Sequence, residues 1–145
     1  MMLKPDKVIS VLGGESTLRQ RVRTVDDLRR AVERGLPLEA LDRAVRRVLG
    51  SGPEATALKH SIVPKATLQR RRRRLSLVES ERVERLARIT ALAEEVWEEP
   101  AAAHEFLVSP QPQLGDERPV DLARTDLGAR RVEELLYKLE YSLPA

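Results

Sequence analysis

The stretch from Lys65 to Trp97, KATLQRRRRRLSLVESERVERLARITALAEEVW, constrains this chain more than any other. Five consecutive arginines, Arg70 to Arg74, are followed by Ser76 and Glu79 and then by acids and bases alternating along an apolar seam. Ser-x-x-Glu ahead of such a run is the capping box of a helix N-terminus, in which each side chain satisfies a free backbone amide. Val83, Leu86, Ile89 or Thr90, Ala93 and Val96 or Trp97 then mark one helical face, and Pro100 ends the helix. Charge changes sign at this junction. Up to Leu75 there are 18 Lys and Arg against 8 Asp and Glu; from Ser76 onward there are 8 against 15. A basic half joined to an acidic half predicts one part for a polyanion and one for another protein.

The rest of the chain predicts an all-α fold. Thr24 caps a helix carrying Val25, Leu28, Ala31 and Val32 inward, with Asp26 and Asp27 at its positive end and Gly35 as its stop. Pro37 opens a second helix with Leu38, Leu41, Val45 and Val48 on one face, closed by Gly50. A short helix around Glu54–His60, a turn through Ser61–Val63 and a helix opened by Pro64 match helix-turn-helix spacing, whose second helix enters the DNA major groove. Further on, Pro100 starts a brief helix through Phe106-Leu107, and Ser109–Pro119 reads as a compact loop. Pro119–Ala123 makes one turn, and Thr125 caps a last helix with Leu127, Val132, Leu135, Leu136 and Leu139 inward. The expected organisation is a loosely attached arm over 1–23, a helix-turn-helix DNA-binding domain over 24–75, and a second helical domain over 76–145 packed against it.

Composition narrows the function classes. Arginine far outnumbers lysine beside abundant Ala, Leu and Pro, so the basic pI (≈ 9.6) says less than the segregation of charge does. No cysteine is present, which removes disulfides and thiolate chemistry. No run approaches the ~18 apolar residues of a membrane span, and Val8–Leu12 is too short for a signal-peptide core, so a cytoplasmic protein is expected. His60 and His104 lack partners at metal-ligand spacing, and Gly13-Gly14 is not followed by the Gly-Lys-Ser/Thr of a phosphate loop. No enzyme activity, metal or cofactor is expected.

On a continuous helix the five arginines encircle the axis, because successive residues rotate by about 100°. With Leu68 and Leu75 marking the buried side, Arg71 and Arg72 brace the core edge. Lys65, Thr67, Gln69, Arg70, Arg73 and Arg74 are then the candidate DNA contacts. Gln69 and one arginine suit base edges, and the other cations suit phosphates. Base stacking on single strands is disfavoured, since Trp97, Phe106, Tyr137 and Tyr141 all lie in the acidic half.

These residues resemble a known family. From Leu75 onward the chain looks like the toxin-binding domain of Xre/MbcA/ParS-type antitoxins. The resemblance is carried by Leu75, Ser76, Glu79, Ser80, Arg82 and Arg85, by Ala87-Arg88-Ile89, by Phe106-Leu107, Pro110 and Leu114-Gly115, and by Pro119, Leu122, Thr125, Gly128, Val132, Leu136 and the Leu-Glu-Tyr near the end. Upstream, Leu12-Gly13-Gly14, Gly35-Leu36-Pro37 and Thr67, Leu68, Arg70 and Arg71 resemble the Xre helix-turn-helix half. The chain departs from the family pattern at Phe106, Asp116 and Ser142, where tryptophan, glycine and glycine are usual. The resemblance implies a bacterial antitoxin that represses its own operon and blocks a RES-domain, NAD-depleting toxin with its C-terminal end. Here that end is Lys138, Glu140, Tyr141, Ser142, Leu143, Pro144 and Ala145. It also implies double-stranded operator DNA and a second copy of the chain as partners. Two other readings stay open: a stand-alone regulator whose acidic half only dimerises, and a protein-binding module with a degenerate helix-turn-helix.

Overall fold

A computed structural model describes residues 3–70 and 73–142. In chain order the helices are α1 (Pro5–Val11), α2 (Gly14–Leu18), α3 (Val25–Arg34), α4 (Leu38–Leu49), α5 (Pro53–Ile62), α6 (Lys65–Arg70), α7 (Leu77–Trp97), α8 (Pro100–Val108), α9 (Pro119–Leu122) and α10 (Asp126–Ser142), with a 3-10 turn at Pro112–Leu114. No strand is formed among the described residues, and none of their helices is long and apolar enough to cross a membrane. The all-α expectation holds.

Local chemistry explains the helix ends. Thr24 Oγ1 accepts the Asp27 amide (3.0 Å) while Asp27 accepts the Thr24 amide (3.2 Å), a reciprocal cap that opens α3. The backbone amides of Arg23 and Thr24 together hold the Asp27 carboxyl below the usual carboxylate range. The Ser76–Glu79 box forms as expected, with the Glu79 amide on Ser76 Oγ (3.2 Å) and the Ser76 amide on Glu79 Oε1 (2.7 Å). Thr125 Oγ1 accepts the Gly128 amide (3.0 Å) at the start of α10.

The molecule is built around α7, whose 21 residues pack against α1, α3, α4, α5, α8 and α10. Val83, Leu86, Ala87, Ile89, Ala91, Leu92, Ala93 and Val96 are all buried, so the helix is apolar on nearly every side along its middle. One hydrophobic cluster runs from Val8 to Leu136. The Ser76 box therefore opens a shared central helix, not a hinge between two bodies.

Residues 5–18 are not a loose arm. Val8, Ile9, Val11, Leu12 and Leu18 are buried, and α1 lies against α7, α3 and α4. Burying an aliphatic side chain is worth roughly 1.5–3 kcal/mol, so this segment is integral to the core. Two other placements differ from the expected stripes. Val25 and Leu127 are each 68% exposed. At the start of α10 the inward positions are Gly128 and Ala129, because a Cβ on Gly128 would run into the Leu122 carbonyl of α9. The close approach of α9 turns Leu127 outward.

Candidate functional site

The basic half presents α5 and α6 joined by Val63-Pro64, a turn shorter than expected because α5 continues through Ile62. Val63 is fully buried and extended, and Ala55, Leu58 and Ile62 anchor α5. Arg82 of α7 donates to the Ile62 carbonyl (3.2 Å), fixing the end of α5 from the central helix. On α6, Thr67 and Leu68 are half-buried, while Lys65, Ala66, Gln69 and Arg70 are exposed. Of the predicted contacts, Thr67 is thus the most sheltered.

The chain leaves the helix sooner than the leucine spacing predicts. α6 ends at Arg70, so Leu75 is not its buried side seven residues after Leu68. Leu75 is instead buried beside the segment between α3 and α4. Its amide donates to the Leu36 carbonyl (2.8 Å), and the Leu38 amide donates to the Arg73 carbonyl (3.3 Å). Residues 73–75 therefore run antiparallel to 36–38. Ser80 Oγ, fully buried on α7, accepts the Leu36 amide (2.8 Å). At Gly35 (φ +95°) a Cβ would strike the Leu75 carbonyl oxygen, so only glycine permits this approach. Arg74 donates to the Gly35 carbonyl (3.0 Å). Arg73 and Arg74 thus sit beside α6 on a pinned strip. The expected bracing role of Arg71 and Arg72 lies outside the described residues.

Lys65, Arg70 and Arg73 are exposed cations with no acidic partner among the described residues. Arginines elsewhere are commonly held: Arg29 by Asp26 and Glu33, Arg47 by Glu94, Arg118 by Asp121. A polyanion meeting α6 finds charge that the fold does not use.

In the acidic half, α10 packs Val132, Leu135 and Leu136 inward, and Arg85 of α7 donates to the carbonyls of Ala123 (3.3 Å) and Arg124 (3.1 Å). Arg82 and Arg85, one turn apart on α7, thus serve as positioning residues, the first for the end of α5 and the second for the end of α9. Asp116, where the family pattern expects glycine, takes φ +63° directly after Gly115 at +67°. Aspartate tolerates this left-handed conformation better than most residues do, which accounts for the substitution. At the C-terminal end α10 continues through Ser142, whose hydroxyl donates to the Leu139 carbonyl (3.3 Å). Lys138 is exposed, Glu140 half-buried and Tyr141 72% exposed, while Leu139 between them packs against the core. Leu143, Pro144 and Ala145 lie outside the described residues.

Two family models match this arrangement. Residues 27–88 match the antitoxin Xre-like helix-turn-helix domain, and residues 92–141 match the antitoxin Xre/MbcA/ParS C-terminal toxin-binding domain. The chain belongs to the Xre/MbcA/ParS antitoxin family. It is also 34% identical over 84 residues to a Pseudomonas putida protein named Antitoxin Xre, an alignment covering 56% of this chain and 53% of that protein. The chain thus spans about half the length of the curated relative it matches. The two stretches matched to the Xre family meet inside α7, whereas the division expected between 75 and 76 falls just before that helix starts. α1 and α2 lie ahead of both stretches, and no local pattern marks their burial, because α1 packs mainly on α7 and α2 on α1 and α4.

Proposed function

We propose that the chain is a cytoplasmic antitoxin that binds and blocks a RES-domain, NAD-depleting toxin and represses its own operon. The observation that carries this reading is the pair of Xre-family domain matches on one core, with the exposed, unpartnered cations of α6 on its basic side. In this reading α6 lies in the major groove. Gln69 and Arg70 reach base edges, and Lys65, Thr67 and Arg73 contact phosphates. Arg74 spends one donor on the Gly35 carbonyl and keeps others for a phosphate, so its fork is held in place before DNA arrives. A dimer or larger assembly places two such helices on half-sites about 34 Å apart.

The toxin-facing end is the last turn of α10 and the residues after it: Lys138, Glu140, Tyr141, Ser142, Leu143, Pro144 and Ala145. A short segment carried on a firm helix enters a cationic nucleotide pocket with little ordering cost. Co-expression with the product of the neighbouring gene tests the proposal. The expected result is rescue of growth and a stable complex that deletion of Tyr141–Ala145 weakens. A neighbour unrelated to RES toxins, with no complex formed, would leave only a stand-alone DNA-binding regulator.

A further inference from the structure

A second group of unused cations lies away from α6. Arg43 and Arg46 are exposed on α4 and have no hydrogen-bond or ion-pair partner among the described residues. Both line a cleft of about 530 Å3 whose other walls include Asp6 and Ser10 of α1 and the Gly13-Gly14 turn. Their neighbour Arg47 also lines it but is bound to Glu94 through two nitrogens (2.9 and 2.8 Å). The fold neutralises one arginine of the three and leaves two.

We propose that this cleft binds a phosphate ester, with the phosphate against Arg43 and Arg46. The space falls within the ~300–1,000 Å3 of small-molecule sites. Two guanidiniums three residues apart on one helix face offer the planar forks that suit phosphate oxygens. The glycine turn keeps the cleft open. At Gly13 (φ +104°) a Cβ would lie 2.9 Å from Arg43 Cγ and strike Thr17, so glycine is what lets the Arg43 stem lie against the turn. At Gly14 (φ +77°) a Cβ would meet nothing within 4 Å, which marks open space over the turn. Asp6 on the facing wall repels a second anionic group and accepts hydrogen bonds, so the neutral, hydroxyl-bearing part of the ester turns toward α1. Much of the cleft, from Asp6 to Gly14, lies outside both matched stretches. The site therefore does not follow from either domain assignment.

The phosphate has two possible sources, a free nucleotide or the backbone of bound duplex DNA. Adenosine 5′-monophosphate titrated into the full-length chain at low ionic strength, followed by amide chemical shifts, tests the site directly. Saturable shifts at Gly13, Gly14 and α4 are expected, with affinity about tenfold lower in Arg43→Gln/Arg46→Gln. Both positions are exposed, and an unchanged melting temperature will verify that the variant folds. The DNA arm separates the sources. If the site holds backbone phosphate, the double variant also lowers the slope of log affinity against log salt by about 2 on an operator duplex. If it holds a free nucleotide, that slope is unchanged while nucleotide binding is lost. Shifts that do not saturate, or that persist undiminished in the double variant, overturn the proposal. Arg70→Ala serves as the independent control, since failure of the α6 reading would leave nucleotide binding in this cleft untouched.

Discussion

Gly35 is where the fold of the basic half can be tested most sharply. Its φ of +95° already disfavours any other residue, at roughly 1–3 kcal/mol. A methyl group there would also press on the Leu75 carbonyl, and relief requires residues 73–75 to move off residues 36–38. That movement puts at risk the Leu75 amide bond to Leu36 and the Arg74 bond to Gly35, about 1 kcal/mol each. Gly35→Ala should therefore lose about 3–5 kcal/mol in urea unfolding, with the melting temperature falling by roughly 10 °C. Gly50→Ala is the matched control. Its glycine also has a positive φ (+69°, with ψ −134°), but a Cβ there would meet nothing within 4 Å, so only the conformational cost of roughly 1–3 kcal/mol is expected. If Gly35→Ala costs no more than Gly50→Ala, the pinned strip is not what holds Arg73 and Arg74 beside α6.

Ser80→Ala removes the acceptor of the buried Leu36 amide and should cost about 1–3 kcal/mol by denaturant titration. Burial pushes the Glu94 carboxyl up, but hydrogen bonds from Arg47 and His104 outweigh it and hold the group below the usual carboxylate range. Its stabilising contribution is present above the unfolded value and is lost as pH falls through the folded one. Glu94→Gln should therefore cost about 0.5–1.5 kcal/mol at pH 7 and flatten the acid limb of the stability curve. Glu84 behaves oppositely, because burial raises its carboxyl pKa against the opposing pull of Arg88. Ionisation then opposes folding once pH exceeds the unfolded value, so Glu84→Gln should raise the melting temperature at pH 7 and show no gain below about pH 4.

What could be read from the sequence was local. The Thr24 and Ser76 caps, the stops at Gly35 and Gly50, and the all-α class each follow from chemistry within a few positions of one another. What could not be read depended on distant partners. The seven-residue spacing of Leu68 and Leu75 imitates one helix face, yet Leu75 is buried by pairing with Leu36, 39 residues upstream. Residues 1–23 read as a loosely attached arm because the surface that receives α1 belongs chiefly to α7, far along the chain. Leu127 follows the inward period but is displaced by the close contact of α9 with Gly128. At the candidate DNA face, Gln69 and Arg70 could be placed from the sequence. The extended strip carrying Arg73 and Arg74 could not, because no local pattern encodes an antiparallel contact between two loops.

The central claim is that one core carries two separable binding surfaces, α6 for operator DNA and the end of α10 for a toxin. Parallel titrations of operator duplex and purified toxin against two variants test it most directly. Gln69→Ala/Arg70→Ala should lose operator affinity and keep toxin binding. Removal of Tyr141–Ala145 should weaken toxin neutralisation and leave operator affinity unchanged. If either variant, folded as well as the parent, loses both activities together, the two-surface account is contradicted.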